Sequence, residues 1–323
     1  MLLKELPILT IVSGVFFVLA GLFAFFGVSV YYLAPIIFVG AGGGVILLAL
    51  WHQKPTGGSI ALFIVSLIVL ASVAGGYGGS QKTTTFAAPR AKVPAQVFDL
   101  RVTNDFGSIN IVLTNRTDIA YRVNFTRSFF GFHFFGGGEA QLSNSTTSST
   151  FTLKVHSSST RIDVILGRGY TTNISASAST GSIELTVPSG LALASVDLSA
   201  GTGSIEASIG ATTVGVIRLK TSTGSVALSA QKTMPSGRLV PVTLSSSTGS
   251  VSLNMAIPSG VAASLRASTG TGSLTRVLTG FSISQDTRVS LLAATGDPGS
   301  ASQSFTMTAS AGTGSVDLVV ASG

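Results

Sequence analysis

The sequence predicts an all-β repeat domain, β-solenoid-like, preceded by three transmembrane α-helices. Three observations carry this reading. A short phrase recurs along the second half: Thr180-Gly181-Ser182-Ile183, Thr202-Gly203-Ser204-Ile205, Thr223-Gly224-Ser225-Val226, Thr248-Gly249-Ser250-Val251, Thr271-Gly272-Ser273-Leu274 and Thr313-Gly314-Ser315-Val316. Self-similarity at about 18 to 25 residues marks one small supersecondary unit copied and stacked, because a single unit cannot bury its own apolar side. Apolar or small residues then sit seven, five and three before each Gly and two, four and six after it, as in Val196, Leu198, Ala200 and Ile205, Ala207, Ile209 around Gly203. Each flank is therefore a strand with one buried face. Finally, the first quarter of the chain is made of long, nearly uncharged apolar runs.

Those runs span residues 7–28, 31–51 and 59–76. Each is close to the ~20 residues a helix needs to cross a bilayer core. Lys4 before the first run, and His52 with Lys54 between the second and third, place the N-terminus and second loop in the cytoplasm and the repeat domain outside. The expected location is thus the cell (plasma) membrane, multi-pass, with residues 1–79 as the anchor. Gly40-Ala41-Gly42-Gly43-Gly44 lets helices approach closely. Residues 80–94, ending in Pro89 and Pro94, read as a polar linker.

The repeat domain occupies residues 95–323. The same frame fits Gly107, with Leu100 and Val102 before it and Ile109, Ile111 and Leu113 after. Around Gly296 only the first flank survives, since Pro298-Gly299-Ser300 replaces the second, and that unit reads as degenerate. From the third position before Gly to the second after it is an odd number of steps, so a turn must bring both flanks to one core. Gly107, Gly181, Gly203, Gly224, Gly249, Gly272 and Gly314 are the structural turn residues, because Gly accepts the positive φ such a turn needs. Two architectures meet this condition. Stacked β-hairpins would pair the flanks of one unit antiparallel; a solenoid would pair each flank parallel to its counterpart in the next unit. Near-identical corners favour the solenoid.

Chemistry-bearing motifs are sparse. The chain has no cysteine, and His52, His133 and His156 are widely separated, so no metal or cofactor is expected. The linker and outer domain together, residues 80–323, carry 17 Lys/Arg against 11 Asp/Glu, scattered and without the basic-aromatic run that nucleic acid demands. Glu184 and Glu206 lie at equivalent outward positions of consecutive units, and direct stacking would set them about 5 Å apart, near the spacing of retaining glycosidases. The following units carry Ala227, Ser252 and Thr275 there, which makes a solvated pair the better reading and leaves no catalytic residue. Asp197 and Arg218 are expected to form a cross-coil ion pair. Phe129, Phe130, Phe132, Phe134 and Phe135 have apolar residues on both faces, which suits either a buried hairpin or contact with a membrane or partner. Asn115, Asn124, Asn144 and Asn173 begin glycosylation triplets.

The Ser/Thr-Thr-Gly-Ser-Val-x-Leu repeats, the Pro188-Ser189-Gly190 and Pro258-Ser259-Gly260 turns and the opening strand Phe98-Asp99-Leu100-Arg101-Val102 behind membrane helices resemble the putative-adhesin β-strand-repeat family of prokaryotic envelopes. The resemblance covers residues 95–323 and implies a non-enzymatic cell-surface domain, adhesin-like or structural. It carries no binding residues across. Related repeat domains occur in envelope-stress regulators, so the alternative expectation is a membrane-coupled sensor or an assembly subunit. The expected partners are the membrane and either envelope glycans or surface proteins, with the oligomeric state left open.

Overall fold

The computed structural model describes residues 81–128, 140–297 and 301–323. The chain divides into two compact units, Met1–Lys82 with Ser128–Gly137 and Thr83–Arg127 with Gly138–Gly323, and the described residues belong almost wholly to the second. The three expected membrane spans and the Phe129–Phe135 stretch lie outside the described residues. Among the described residues no helix is long and apolar enough to cross a membrane.

The repeat is a two-sided coil: a long strand, a corner, and a shorter return strand. In chain order the coils are β2 (Val97–Phe106) with β3 (Ile109–Leu113), β6 (Thr150–Ser159) with β7 (Arg161–Leu166), β8 (Thr171–Thr180) with β9 (Ile183–Val187), and β10 (Ala192–Thr202) with β11 (Ile205–Ile209). They continue with β12 (Thr213–Thr223) and β13 (Val226–Gln231), β15 (Leu239–Thr248) and β16 (Val251–Ile257), β17 (Ala262–Thr271) and β18 (Leu274–Thr279), and β21 (Ser304–Thr313) and β22 (Val316–Ser322). The remaining strands are β1 (Gln81–Pro89), β4 (Ile119–Ser128), β5 (Gln141–Thr146), β14 (Met234–Pro235), β19 (Ser282–Asp286) and β20 (Ser290–Thr295).

Long strands build a 12-stranded sheet and short strands a 10-stranded one. Coil pairs with coil in parallel register, Leu198 standing between Ala176 and Leu219, and Ala207 between Leu185 and Leu228. The solenoid is therefore the architecture formed, and the hairpin alternative falls. The apolar frame read from the sequence is the core: Val196, Leu198, Ile205, Ala207 and Ile209 are all buried between the sheets.

The corners explain why Gly recurs. The seven turn glycines have φ between 123° and 149°. A side chain would be strained there by its own backbone. It would also have no room. A Cβ on Gly203 would stand 2.1 Å from the Gly181 carbonyl oxygen, one on Gly224 2.0 Å from that of Gly203, and one on Gly249 2.0 Å from that of Gly224. At every corner except that of Gly272, in the last coil, the Gly N–H donates to the Thr carbonyl of the next coil, as Gly203 does to Thr223 at 2.9 Å, so the ladder of hydrogen bonds continues around the turn.

Stack order departs from chain order at both ends. Along the long-strand sheet the order is β19-β20-β17-β21-β15-β12-β10-β8-β2-β6-β5. The coil β6–β7 lies outside β2–β3, and β21–β22 lies inside β17–β18, so simple succession holds only from β8 to β16. The coil β6–β7 was hidden inside the apparent interruption after Arg116. Its frame is intact, with Leu153, Val155 and Ser157 before the pivot and Ile162, Val164 and Leu166 after, but the pivot is Thr160. No coil lies beyond Thr160, so neither the close approach nor positive φ is imposed.

Reversed strands close the ends. At one end β4 runs antiparallel to β7 and β5 antiparallel to β6, above a cluster in which the Phe98 ring lies 5.2 Å from Phe151, 5.3 Å from Tyr170 and 6.3 Å from Tyr121. At the other, β20 runs antiparallel to β17 and β19 antiparallel to β20. Thus the Gly296 unit is a cap of reversed direction, and its Gly has φ 62°, unlike the corners. There Arg276 takes a core-row position held by Leu318 in the neighbouring coil, and an ion pair with Asp286 joins β18 to β19. An inward-pointing charge on an edge strand opposes further strand addition.

The expected linker is folded onto the stack. β1 lies beside β4, with the Thr85 hydroxyl donating to Asn124 Oδ1 at 3.0 Å and Phe86 edge-on to Phe125 at 5.9 Å. After β1, a one-turn 3-10 helix, Arg90–Lys92, is pinned by Arg90. Its guanidinium lies 3.7 Å from the centre of the Tyr170 ring and donates to the carbonyls of Val93, of Ala95 at 3.4 Å and of Gly169 at 3.1 Å.

Candidate binding faces

The repeat brings side chains of one chemistry into straight rows. The residue before each corner Gly is Thr in six coils, and parallel register aligns Thr180, Thr202, Thr223, Thr248, Thr313 and Thr271 in that order along the stack. Adjacent members are therefore about one strand spacing, ~4.8 Å, apart. All six are exposed, and none of their hydroxyls is in a hydrogen bond among the described residues. Beside them on the long-strand face run Ser177, Ser199, Lys220, Ser245, Ser310 and Ser268. The run of Thr stops at an aromatic ring, beyond which lies Ser159 of the end coil. Phe106 stands opposite Thr180 and is 61% exposed, although it is the largest side chain in this row. Sequence reading passed over Phe106; its place immediately before Gly107, where the other units have Thr, was the available signal.

Interior polar groups serve the corners. Thr221, Ser246 and Thr269, each three residues before its Gly, are buried and donate to the carbonyls of Gly203 at 3.2 Å, Gly224 at 2.8 Å and Gly314 at 2.7 Å. In the coil of Gly107 the equivalent Asn104 donates to the Thr160 carbonyl at 2.7 Å. Ala178, Ala200 and Ala311 hold this place in the other coils with a Gly corner, which lack that donor.

Glu184 and Glu206 are in-register neighbours on the outer face of the short-strand sheet, both exposed, in a row that runs Asp163, Asn110, Glu184, Glu206, Ala227, Ser252, Asp317, Thr275. Asn110 donates to Asp163 at 3.2 Å. The two glutamates lie side by side on the exposed outer face of adjacent strands. Asp197 and Arg218 are likewise neighbours in register, but the expected ion pair between them is not formed. Of the glycosylation triplets, Asn115 and Asn144 are exposed. Asn124 and Asn173 are half-buried in strands, their side-chain oxygens accepting from Thr85 and Ser195.

Shifted titrations cluster at the end that carries β1. Burial pushes the Tyr170 hydroxyl up, against a smaller downward pull from the Arg90 guanidinium on its ring. A hydrogen bond from Arg116 holds Asp118 below the usual carboxylate range, and the same contact raises Arg116. These are fastening contacts. His156 is exposed on the long-strand face, and the described residues contain no group of His, Asp and Glu able to hold a metal.

No family model matches the chain, and no curated protein matches it. Among solved crystal structures it is similar to a "putative cell adhesion protein" from Clostridium sporogenes ATCC 15579, with 12% identity and a TM-score of 0.48 over 75% of this chain and 100% of that one. It is also similar to a "putative adhesin" from Bacteroides fragilis NCTC 9343, with 10% identity and a TM-score of 0.35 over 74% of this chain and 98% of that one.

Proposed function

We propose that the chain is a membrane-anchored, non-enzymatic surface protein, adhesin-like, whose corner ridge binds neutral hydroxylated polymers such as envelope glycans. The supporting observation is the straight row of six exposed, unpartnered Thr hydroxyls ending on Phe106. Hydroxyl groups donate and accept, and an exposed ring offers an apolar face on which a sugar can stack. Each contact is weak, and repetition at one spacing turns many of them into useful affinity. Full-length protein in nanodiscs should bind immobilised envelope polysaccharide, and Phe106→Ala combined with Thr202→Val and Thr223→Val should weaken that binding by roughly tenfold or more, equivalent to ~1.4 kcal/mol. Undiminished binding by the triple variant removes the ridge from consideration.

The alternative, a membrane-coupled sensor, draws on the fastened β1. Thr83 and Thr85 of β1 lie beside Thr126 and Asn124 of β4, so β1 begins near the place where β4 ends. In this proposal residues 1–79 hold the chain in the membrane, and Phe129, Phe130, Phe132, Phe134 and Phe135 meet the membrane interface or a partner within it. Protease protection in right-side-out vesicles tests the shared topology: cleavage of the β domain only from the cytoplasmic side sinks both versions. Interaction with envelope components that requires residues 1–80 would favour sensing over adhesion.

A further inference from the structure

Between the end coils the short-strand face is acidic and the long-strand face mainly basic, whereas at the β7 end of the short-strand face Arg161 neutralises Asp163. On the short-strand sheet, β3, β9, β11, β13, β16 and β22 hold Glu184, Glu206 and Asp317 and no Lys or Arg. On the long-strand sheet, Lys154, Arg101, Arg218, Lys220 and Arg266 point outward with Asp99 and Asp197 among them. Among the described residues Glu184, Glu206, Arg218, Lys220 and Arg266 are in no ion pair. Both faces share one spacing, because every coil gives one strand to each sheet.

We propose that a second copy of this chain docks its long-strand face on the short-strand face of the first, with stack axes parallel and an offset of one coil. The offset follows from the order of the rows. Advancing the partner by one coil sets Glu206 opposite the strand that carries Arg218 and Lys220 and Asp317 opposite that of Arg266, while Glu184 meets an acid, Asp197, and the Arg161–Asp163 pair meets the Arg101–Asp99 pair. With no offset Glu206 faces Asp197, Asp317 faces Thr308, and only Asp163, already paired with Arg161, faces a base, Lys154; the opposite offset gains only Glu184 against Arg101. Position along the strands agrees as well. Glu206 is three residues past its Gly and Lys220 four before its own, so both lie at a similar distance from the corner. Arg218 and Arg266 lie two residues further, ~7 Å, within reach of an Arg side chain.

The short-strand face covers roughly 700 Å², taking eight strands ~4.8 Å apart and five to seven residues long, slightly under the ~800 Å² per partner of a standard interface. The contact is therefore low in affinity and salt-sensitive. It uses different faces on the two copies, so it propagates into rows rather than closing as a dimer.

The experiment is sedimentation of the full-length chain in nanodiscs, each holding one copy, across protein concentration and salt. Wild type should self-associate at 50 mM NaCl and lose tenfold or more in association constant at 500 mM. Glu206→Lys alone, and Arg218→Glu with Lys220→Glu, should each lose at least tenfold at low salt, and a mixture of the two variants should regain association because the reversed faces complement each other. Circular dichroism checks that these exposed substitutions leave the fold unchanged. Monodisperse wild type at low salt, association unaffected by either reversal, or a mixture no better than its components overturns the proposal.

Discussion

The middle of the stack and its two ends are built on different rules. From β8 to β16 every coil is held between neighbours that precede and follow it in the chain, and each corner approaches the next so closely that only Gly fits. At the ends a coil has one neighbour, the chain doubles past its own predecessor, and reversed strands cover what is left. The ends also differ from each other: an aromatic cluster closes one, and an Arg-Asp ion pair closes the other. A repeat thus shows its own grammar only where repeats surround it.

The most severe way to break this contrast is at an interior corner. Gly224→Val combines positive φ with a Cβ 2.0 Å from the Gly203 carbonyl, and should reduce unfolding free energy by more than ~4 kcal/mol in urea titrations. Thr160→Gly at the end coil should lose only the hydrogen bond to Ser157, ~1 kcal/mol. Equal losses at the two corners would refute the difference between middle and end. Next in size, Phe98→Ala removes a fully buried ring from the aromatic end and should lower stability by about 3–5 kcal/mol, with hydrogen exchange rising first in β1 and β4.

Within the core, Thr269→Ala leaves the Gly314 carbonyl without its side-chain donor and should lose ~1–2 kcal/mol by the same titration. Ala311→Ser, which supplies a donor where one is lacking, sharpens the comparison if it stabilises. The smallest effect belongs to Arg276→Ala. Its ion pair is about a third exposed, so thermal unfolding should show a loss under ~1 kcal/mol, while light scattering should reveal end-to-end aggregation once the inward charge is gone.

The legible part of the fold was the part governed by period. Val196, Leu198, Ile205 and Ile209 were readable as core because alternation is local, and the corner glycines were readable because φ and space both demand them. The coil around Thr160 escaped because an end corner needs no Gly, although its apolar frame was in place. The exchange of β21–β22 with β17–β18 left no local trace, since Pro188-Ser189-Gly190 leads to the adjacent coil while Pro258-Ser259-Gly260 leads past one. Phe106 was legible only as an exception to a rule about Thr, a signal that appears once the row has been laid out in register.

The out-of-order coils at each end also constrain how such a molecule can change in length. Each end coil is bound to a chain segment that returns inward past it, so a unit copied onto either extremity would meet a cap instead of a free sheet. A unit duplicated between β9 and β13 meets ordinary neighbours on both sides. Growth by duplication is therefore confined to the interior, and relatives of unequal length should keep both termini of the stack while varying the number of Thr-Gly-Ser corners between them.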